Sequence, residues 1–179
     1  MKMRRMRIRK QCLPLEKEAR FGRVTRLRDE RKIMKRTASA IWKGDLKQGS
    51  GTLSAPGGVL KDTPYSFKTR FENAPGTNPE ELIAAAHAGC FTMALSAFLG
   101  KAGFTPDELS TNAALTMEQV DGNWTIKAIH LEVSGRVPKI DRPTFEQIAF
   151  EAKTNCPVSR VLKADITLSS KLVDLAQAK

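Results

Sequence analysis

Apolar and polar positions alternate over "ASAIWKGD", Ala38 to Asp45. They alternate again over "PYSFKTRF", where Tyr65, Phe67, Thr69 and Phe71 fall on one side and Lys68 and Arg70 on the other. A period of two predicts half-buried strands. Between them, "KQGSGTLSAPGGVL" is rich in Gly and Ser and predicts a turn that closes a hairpin. The pattern then changes. "ENAPGTNPEE" is a loop ending in a helix start: Asn78 suits the cap, Pro79 the first helical position, and Glu80 and Glu81 the positive helix end. Almost every residue from there to Leu99 is apolar, and Gly100 and Gly103 mark the stop.

Two long strands follow, "STNAALTMEQVDG" and "NWTIKAIHLEVSGRV", joined by an Asp121–Gly122 turn. "DRPTFEQIAFEAKTN" places Phe145, Ile148, Ala149 and Ala152 at helical spacing. "CPVSRVLK" predicts a short second helix and "ADITLSSKLV" a closing strand. The order strands, helix, strands, helix, strand predicts an α+β fold with a long helix lying against antiparallel sheet.

The chain has 179 residues, enough for one domain with a real core. The apolar run Leu82–Leu99 is interrupted by His87, Gly89, Cys90 and Ser96, so no stretch is expected to be long enough to span a bilayer. The net charge of +11 is unevenly placed. Residues 1–36 carry 15 Lys and Arg against 4 Asp and Glu, whereas residues 37–179 carry 15 of each sign. The neutral body implies nothing about polyanion partners. The basic segment permits three readings: an arm that touches nucleic acid or an anionic membrane, an addition upstream of a natural start at Met34, or a helix docked on the body or on a neighbouring subunit. It lacks the apolar core of a secretory signal, so a reducing, cytoplasmic compartment is expected.

Three cysteines are present: Cys12, Cys90 and Cys156. With His87 and His130 as the only histidines and no CxxC or HxxxH spacing, zinc is not expected. No GxGxxG or P-loop pattern points to a nucleotide. Cys90 shares a helix face with Ala86, Met93, Ala94 and Ala97, a setting that suits a packed thiol as well as a reactive one. Cys156 precedes Pro157 and would cap the short helix, where a helix N-terminus lowers a thiol pKa. Local physics alone therefore nominates Cys156 as the nucleophile and Cys90 as filler. Arg70 reads equally as a solvated strand residue, and Glu80 as a favourable first-turn charge. His87, one turn before Cys90, is open between a proton carrier and a packed or interface histidine.

"YSFKTRFE", "GTNPEELIAAAHAGCFTMAL", "NCPVSRVL" and "KADITLS" together resemble the OsmC/Ohr family of organic hydroperoxide reductases, and the OsmC branch most. The resemblance runs over roughly Thr37 to Val173; the segment before Met34 has no counterpart in it. It implies an OsmC-like fold over residues 37–179, an intertwined homodimer with two sites at the subunit interface, and a basic N-terminal extension over residues 1–36. It reverses the local assignment. Cys90 becomes the peroxidatic cysteine and Cys156 the resolving one, with Arg70 as the activating cation and Glu80, or its neighbour Glu81, as the carboxylate that holds it. The implied activity is a thiol-dependent peroxidase in oxidative or osmotic stress defence, acting on organic hydroperoxides without a bound cofactor and regenerated by an external dithiol, typically lipoyl-type. The competing expectation is a dimeric binding module whose basic arm contacts nucleic acid or membrane.

Overall fold

A computed structural model describes residues 33–72 and 74–173. The chain divides into two units, Met1–Arg36 and Thr37–Lys179. Every helix and strand among the described residues belongs to the second unit. Most of the basic segment, with Cys12, lies outside the described residues.

The unit opens with a three-stranded antiparallel sheet, β1 (Ser39–Lys43), β2 (Ser50–Ser54) and β3 (Thr63–Ser66), in that spatial order. The Gly- and Ser-rich stretch expected to be only a turn thus contains β2. Small residues are needed there: a Cβ on Gly51 would lie 2.5 Å from Tyr65 Cε1 and 2.9 Å from Trp42 Cε3.

The second expected strand, "PYSFKTRF", ends at Ser66 and becomes a helix, α1 (Phe67–Phe71). Ser66 makes the difference. Its hydroxyl accepts the Thr69 backbone N–H at 3.2 Å, and the Thr69 hydroxyl accepts the Ser66 backbone N–H at 3.0 Å. This reciprocal capping box satisfies two otherwise orphaned donors and turns the chain helical within one residue. Arg70 is therefore a helical residue.

The cysteine helix, α2 (Pro79–Lys101), starts as expected: Asn78 Oδ1 accepts the Glu81 backbone N–H at 2.8 Å. It carries one fully buried row, His87, Phe91, Leu95 and Leu99. Its 23 residues, with a mean hydropathy of 1.8 over the most apolar window, are long and apolar enough to cross a membrane by length and composition. This corrects the expectation that no stretch is, because Ala, Cys and Gly dilute the run without making it polar. Only 22% of that window is buried within the chain. The face bearing Ala85, Ala86, Gly89, Met93, Ser96 and Ala97 is exposed in the single chain.

The second sheet has the order β4 (Glu108–Val120), β5 (Asn123–Arg136), β6 (Asp165–Leu172). β4 and β5 form a long hairpin around Asp121 and Gly122, both at positive φ (50° and 78°), as a two-residue primed turn requires. Between β5 and β6 come α3 (Arg142–Asn155) and α4 (Pro157–Val161). That helical crossover returns the chain to the same end of the sheet, so β6 pairs with β5 in parallel. The expectation of wholly antiparallel sheet fails at this strand.

The core lies where α2 and α3 cover this sheet. Phe91, Leu95 and Leu99 of α2 share one buried cluster with Ile129, Leu131 and Val133 of β5 and with Phe145, Ile148, Ala149 and Ala152 of α3. Phe145 seats on Gly135, where a Cβ would come within 2.6 Å of its ring. Each large side chain buried here contributes about 1.5–3 kcal/mol. Cys156 belongs to the same core, with no exposed surface.

Candidate active site

Cys156 stands at a junction. It is the last cap of α3, donating its backbone N–H to Ala152 O at 2.9 Å, and the residue from which α4 begins at Pro157. This corner carries its thiol to α2. Cys156 Sγ lies 3.1 Å from Cys90 Sγ, and both thiols are free. A disulfide, at about 2.05 Å, needs the sulfurs to approach by only about 1 Å.

Cys90 is half-buried, at the border between the packed and the exposed face of α2. Burial raises its thiol pKa, and the adjoining Cys156 thiol raises it further; the nearby backbone N–H of Val158 works the other way. Val158 is the second residue of α4. The start of α4, which carries Cys156, thus lies beside Cys90. Among the described residues, no Lys or Arg side chain makes a hydrogen bond to the Cys90 sulfur.

The cation and carboxylate are joined elsewhere. Arg70 donates from Nε to both carboxylate oxygens of Glu80, at 3.1 and 3.2 Å, and from Nη2 to Oε1 at 2.7 Å. A side-on pair of this kind fixes the guanidinium plane. Asn78 Nδ2 donates to Thr69 O at 3.3 Å, tying the start of α2 to α1. Glu80 is the partner rather than Glu81, which is exposed. The Arg70 guanidinium lies 5.0 Å from the Phe71 ring centroid. Beside it opens a cavity of about 280 Å³ lined by Trp42, Leu46, Tyr65, Phe67 and Phe71.

The four residues singled out in the sequence therefore form two pairs, Cys90 with Cys156 and Arg70 with Glu80. The pairs do not meet in one chain. Glu80 and Cys90 are ten residues apart on one helix, a rise of about 15 Å. His87 is wholly buried, its Nε2 2.8 Å from Ser159 Oγ and its Nδ1 without a partner. Burial lowers its pKa. Sequence reasoning missed Val158 and Ser159 as neighbours of the thiol helix, and Trp42 and Tyr65 as walls of the cavity. Only the "CPVS" context of Cys156 hinted at the first two.

The family of OsmC-like proteins matches residues 71–171 of the chain. Peroxiredoxin OsmC of Escherichia coli is 54% identical over 133 residues, covering 74% of this chain and 93% of that protein. The crystal structure of the organic hydroperoxide resistance protein OhrB of Bacillus subtilis superposes with a TM-score of 0.56 at 26% identity, covering 76% of this chain and 98% of that one. An OsmC-like protein from Vibrio cholerae shares the fold at a TM-score of 0.62 and 14% identity, over 77% and 99% of the two chains.

Proposed function

The chain belongs to the OsmC-like family, and on that premise we propose that it is a peroxidase that reduces organic hydroperoxides through Cys90 and Cys156. The observation that carries this reading is the 3.1 Å approach of two free thiols that lie 66 residues apart in sequence. The names of the relatives, a peroxiredoxin and organic hydroperoxide resistance proteins, favour the same chemistry.

In the proposed cycle, Cys90 thiolate attacks the terminal peroxide oxygen. An S–O bond forms, the O–O bond breaks, and the alkoxide leaves as the alcohol after taking a proton. Cys156 then condenses with the sulfenic acid to give a disulfide and water. An external dithiol of lipoyl type reduces that disulfide by exchange. The sulfurs carry the electrons throughout, and no bound cofactor takes part. The setting is defence against oxidative or osmotic stress in the cytoplasm.

A thiol whose pKa is raised within its own chain needs a cation to reach thiolate, and Arg70 is out of reach along α2. A second copy supplies one. The exposed face of α2 carries small residues at Ala85, Ala86 and Gly89, which permit close helix approach. Two α2 helices crossing antiparallel at Ala85 would set Glu80 of one copy level with Cys90 of the other. The Arg70–Glu80 pair of each subunit then serves the thiol of its neighbour, which accounts for an intertwined homodimer. The aromatic cavity beside Arg70 suits the organic part of the substrate.

The test is peroxide consumption with a dithiol reductant, comparing cumene hydroperoxide with hydrogen peroxide for the native protein and Cys90→Ser. Faster turnover of cumene hydroperoxide that vanishes in Cys90→Ser is expected. Turnover that survives Cys90→Ser overturns the reading.

A further inference from the structure

His87 and Ser159 have no part in the proposed cycle, yet they link the two helices that carry it. His87 precedes Cys90 by three residues on α2, and Ser159 follows Cys156 by three in α4, so each pair lies within one helical turn. The thiols form one rung between the helices, at 3.1 Å. Imidazole Nε2 and Ser159 Oγ form the other, at 2.8 Å.

The imidazole is a poor choice for packing alone. It lies in a row with Phe91, Leu95 and Leu99, wholly buried, with Nδ1 unpaired. A polar group in such a place costs stability that an apolar side chain would not. Its one hydrogen bond is spent on α4. That helix has five residues, no fully buried side chain and no side-chain cap. So short a helix does not hold itself in place. The His87–Ser159 bond is the directional contact that fixes it.

We propose that this bond positions the resolving thiol: it holds α4 so that Cys156 captures oxidised Cys90 before a second peroxide does. The inference rests on the two-thiol cycle proposed for this protein. In the step concerned, an S–S bond forms as the S–O bond of the sulfenic acid breaks. The Cys156 thiol proton leaves with the hydroxyl as water; the Cys156 sulfur is oxidised and the Cys90 sulfur reduced. A second hydroperoxide competes by adding oxygen to the same sulfur, giving sulfinic acid and an alcohol. The placement of α4 governs the first route and not the second.

Reduced full-length protein is mixed with cumene hydroperoxide, quenched with a thiol-alkylating reagent, and assayed by mass spectrometry for remaining Cys90 thiol, disulfide and sulfinate. In Ser159→Ala, disulfide formation should slow roughly tenfold relative to Cys90 oxidation, as loss of one well-placed hydrogen bond allows. Sulfinate should rise, and Ser159→Thr, which keeps the hydroxyl, should restore both. His87→Leu matches its apolar row and secures the fold, and should show the same lowered ratio with no loss of stability. A ratio unchanged in His87→Leu, or attack and resolution falling together, overturns the proposal. The equilibrium of the disulfide with glutathione reads thiol placement without peroxide, and it too should fall roughly tenfold in Ser159→Ala. If the native protein consumes no hydroperoxide but this equilibrium still falls, the peroxidase reading fails and the positioning stands. If consumption is normal and neither quantity moves, the positioning alone fails.

Discussion

Cys156 Sγ lies 3.1 Å from Cys90 Sγ, and of the two thiols only Cys90 keeps exposed surface, Cys156 being wholly buried. A peroxide therefore meets the Cys90 sulfur first. This supports Cys90 as the thiolate. Cys90→Ser should abolish peroxide consumption in the first turnover. Cys156→Ser should complete one turnover and accumulate sulfenic acid or its over-oxidised products, read by mass spectrometry. A Cys156→Ser protein that loses the first turnover, while Cys90→Ser retains it, would exchange the two assignments.

Glu80 is expected to act only through Arg70. Arg70→Ala should slow the reaction of Cys90 with peroxide by about 10²-fold, the scale on which misplacing one charged group affects such steps. Glu80→Ala should slow it less, and the double variant should be little worse than Arg70→Ala alone. Ser66→Ala, which removes the cap of α1, should cost about 1 kcal/mol of stability and loosen the same pair. Rates from stopped-flow peroxide consumption decide the matter. Additive losses for Arg70 and Glu80 would show that they work separately.

Much of this was legible because it is local. Asn78–Pro79–Glu80 announces the start of α2, Asp121–Gly122 the hairpin, and Phe145, Ile148, Ala149 and Ala152 the packed face of α3. The alternation of Tyr65, Phe67, Thr69 and Phe71 predicts a strand through Arg70, but the reciprocal bonds of Ser66 and Thr69 override that period. The parallel direction of β6 depends on where α3 and α4 carry the chain, which no short window records. The same holds for His87–Ser159, a contact across 72 residues. The pairings within the site were legible only through the family resemblance, since spacing alone left Glu80 and Glu81 equivalent.

Burial lowers the pKa of His87 below its ordinary 6.5. The unfolded chain therefore takes up a proton near that pH while the folded protein does not. The contribution of neutral His87 is fully present above about pH 6.5 and is lost as pH falls from there toward the folded-state pKa. Denaturant midpoints of the native protein should drop over this window. In His87→Leu that part of the drop should be absent, leaving the carboxylate losses at lower pH. A parallel pH profile for the two proteins would mean that the histidine is not kept neutral by the fold.

The proposed chemistry uses a body of zero net charge, and the excess of basic residues lies before residue 37. A protein starting at Met34 should therefore fold, dimerise and reduce cumene hydroperoxide at a similar rate. Cys12→Ser should leave the cycle unchanged, because two thiols suffice. If the segment binds polyanions, only the full-length chain should retain DNA or anionic vesicles, with an affinity that falls steeply with salt. A Met34-start protein that is unfolded or inactive would assign the segment to the catalytic unit.

The separation of Arg70 from Cys90 makes subunit sharing directly testable. In one chain the Arg70–Glu80 pair sits at the start of α2, and Cys90 lies about 15 Å further along it. If each site takes its thiols from one subunit and its cation from the other, the defects of Cys90→Ser and Arg70→Ala are complementary. A mixed dimer of the two variants then holds one site with both lesions and one with neither. Homodimers of either variant should be strongly impaired. Unfolding and refolding the two together in equal amounts should yield about half mixed dimers, each with one intact site, and restore about a quarter of native activity on random pairing. Refolding each variant alone and then combining them controls for slow exchange. A site assembled within one chain gives no such recovery at any mixing ratio, because every chain in the mixture lacks either the thiol or the cation. Absence of recovery, in a mixture shown by differently tagged subunits to contain mixed dimers, would place Arg70 outside the chemistry of Cys90 and require another source for its thiolate.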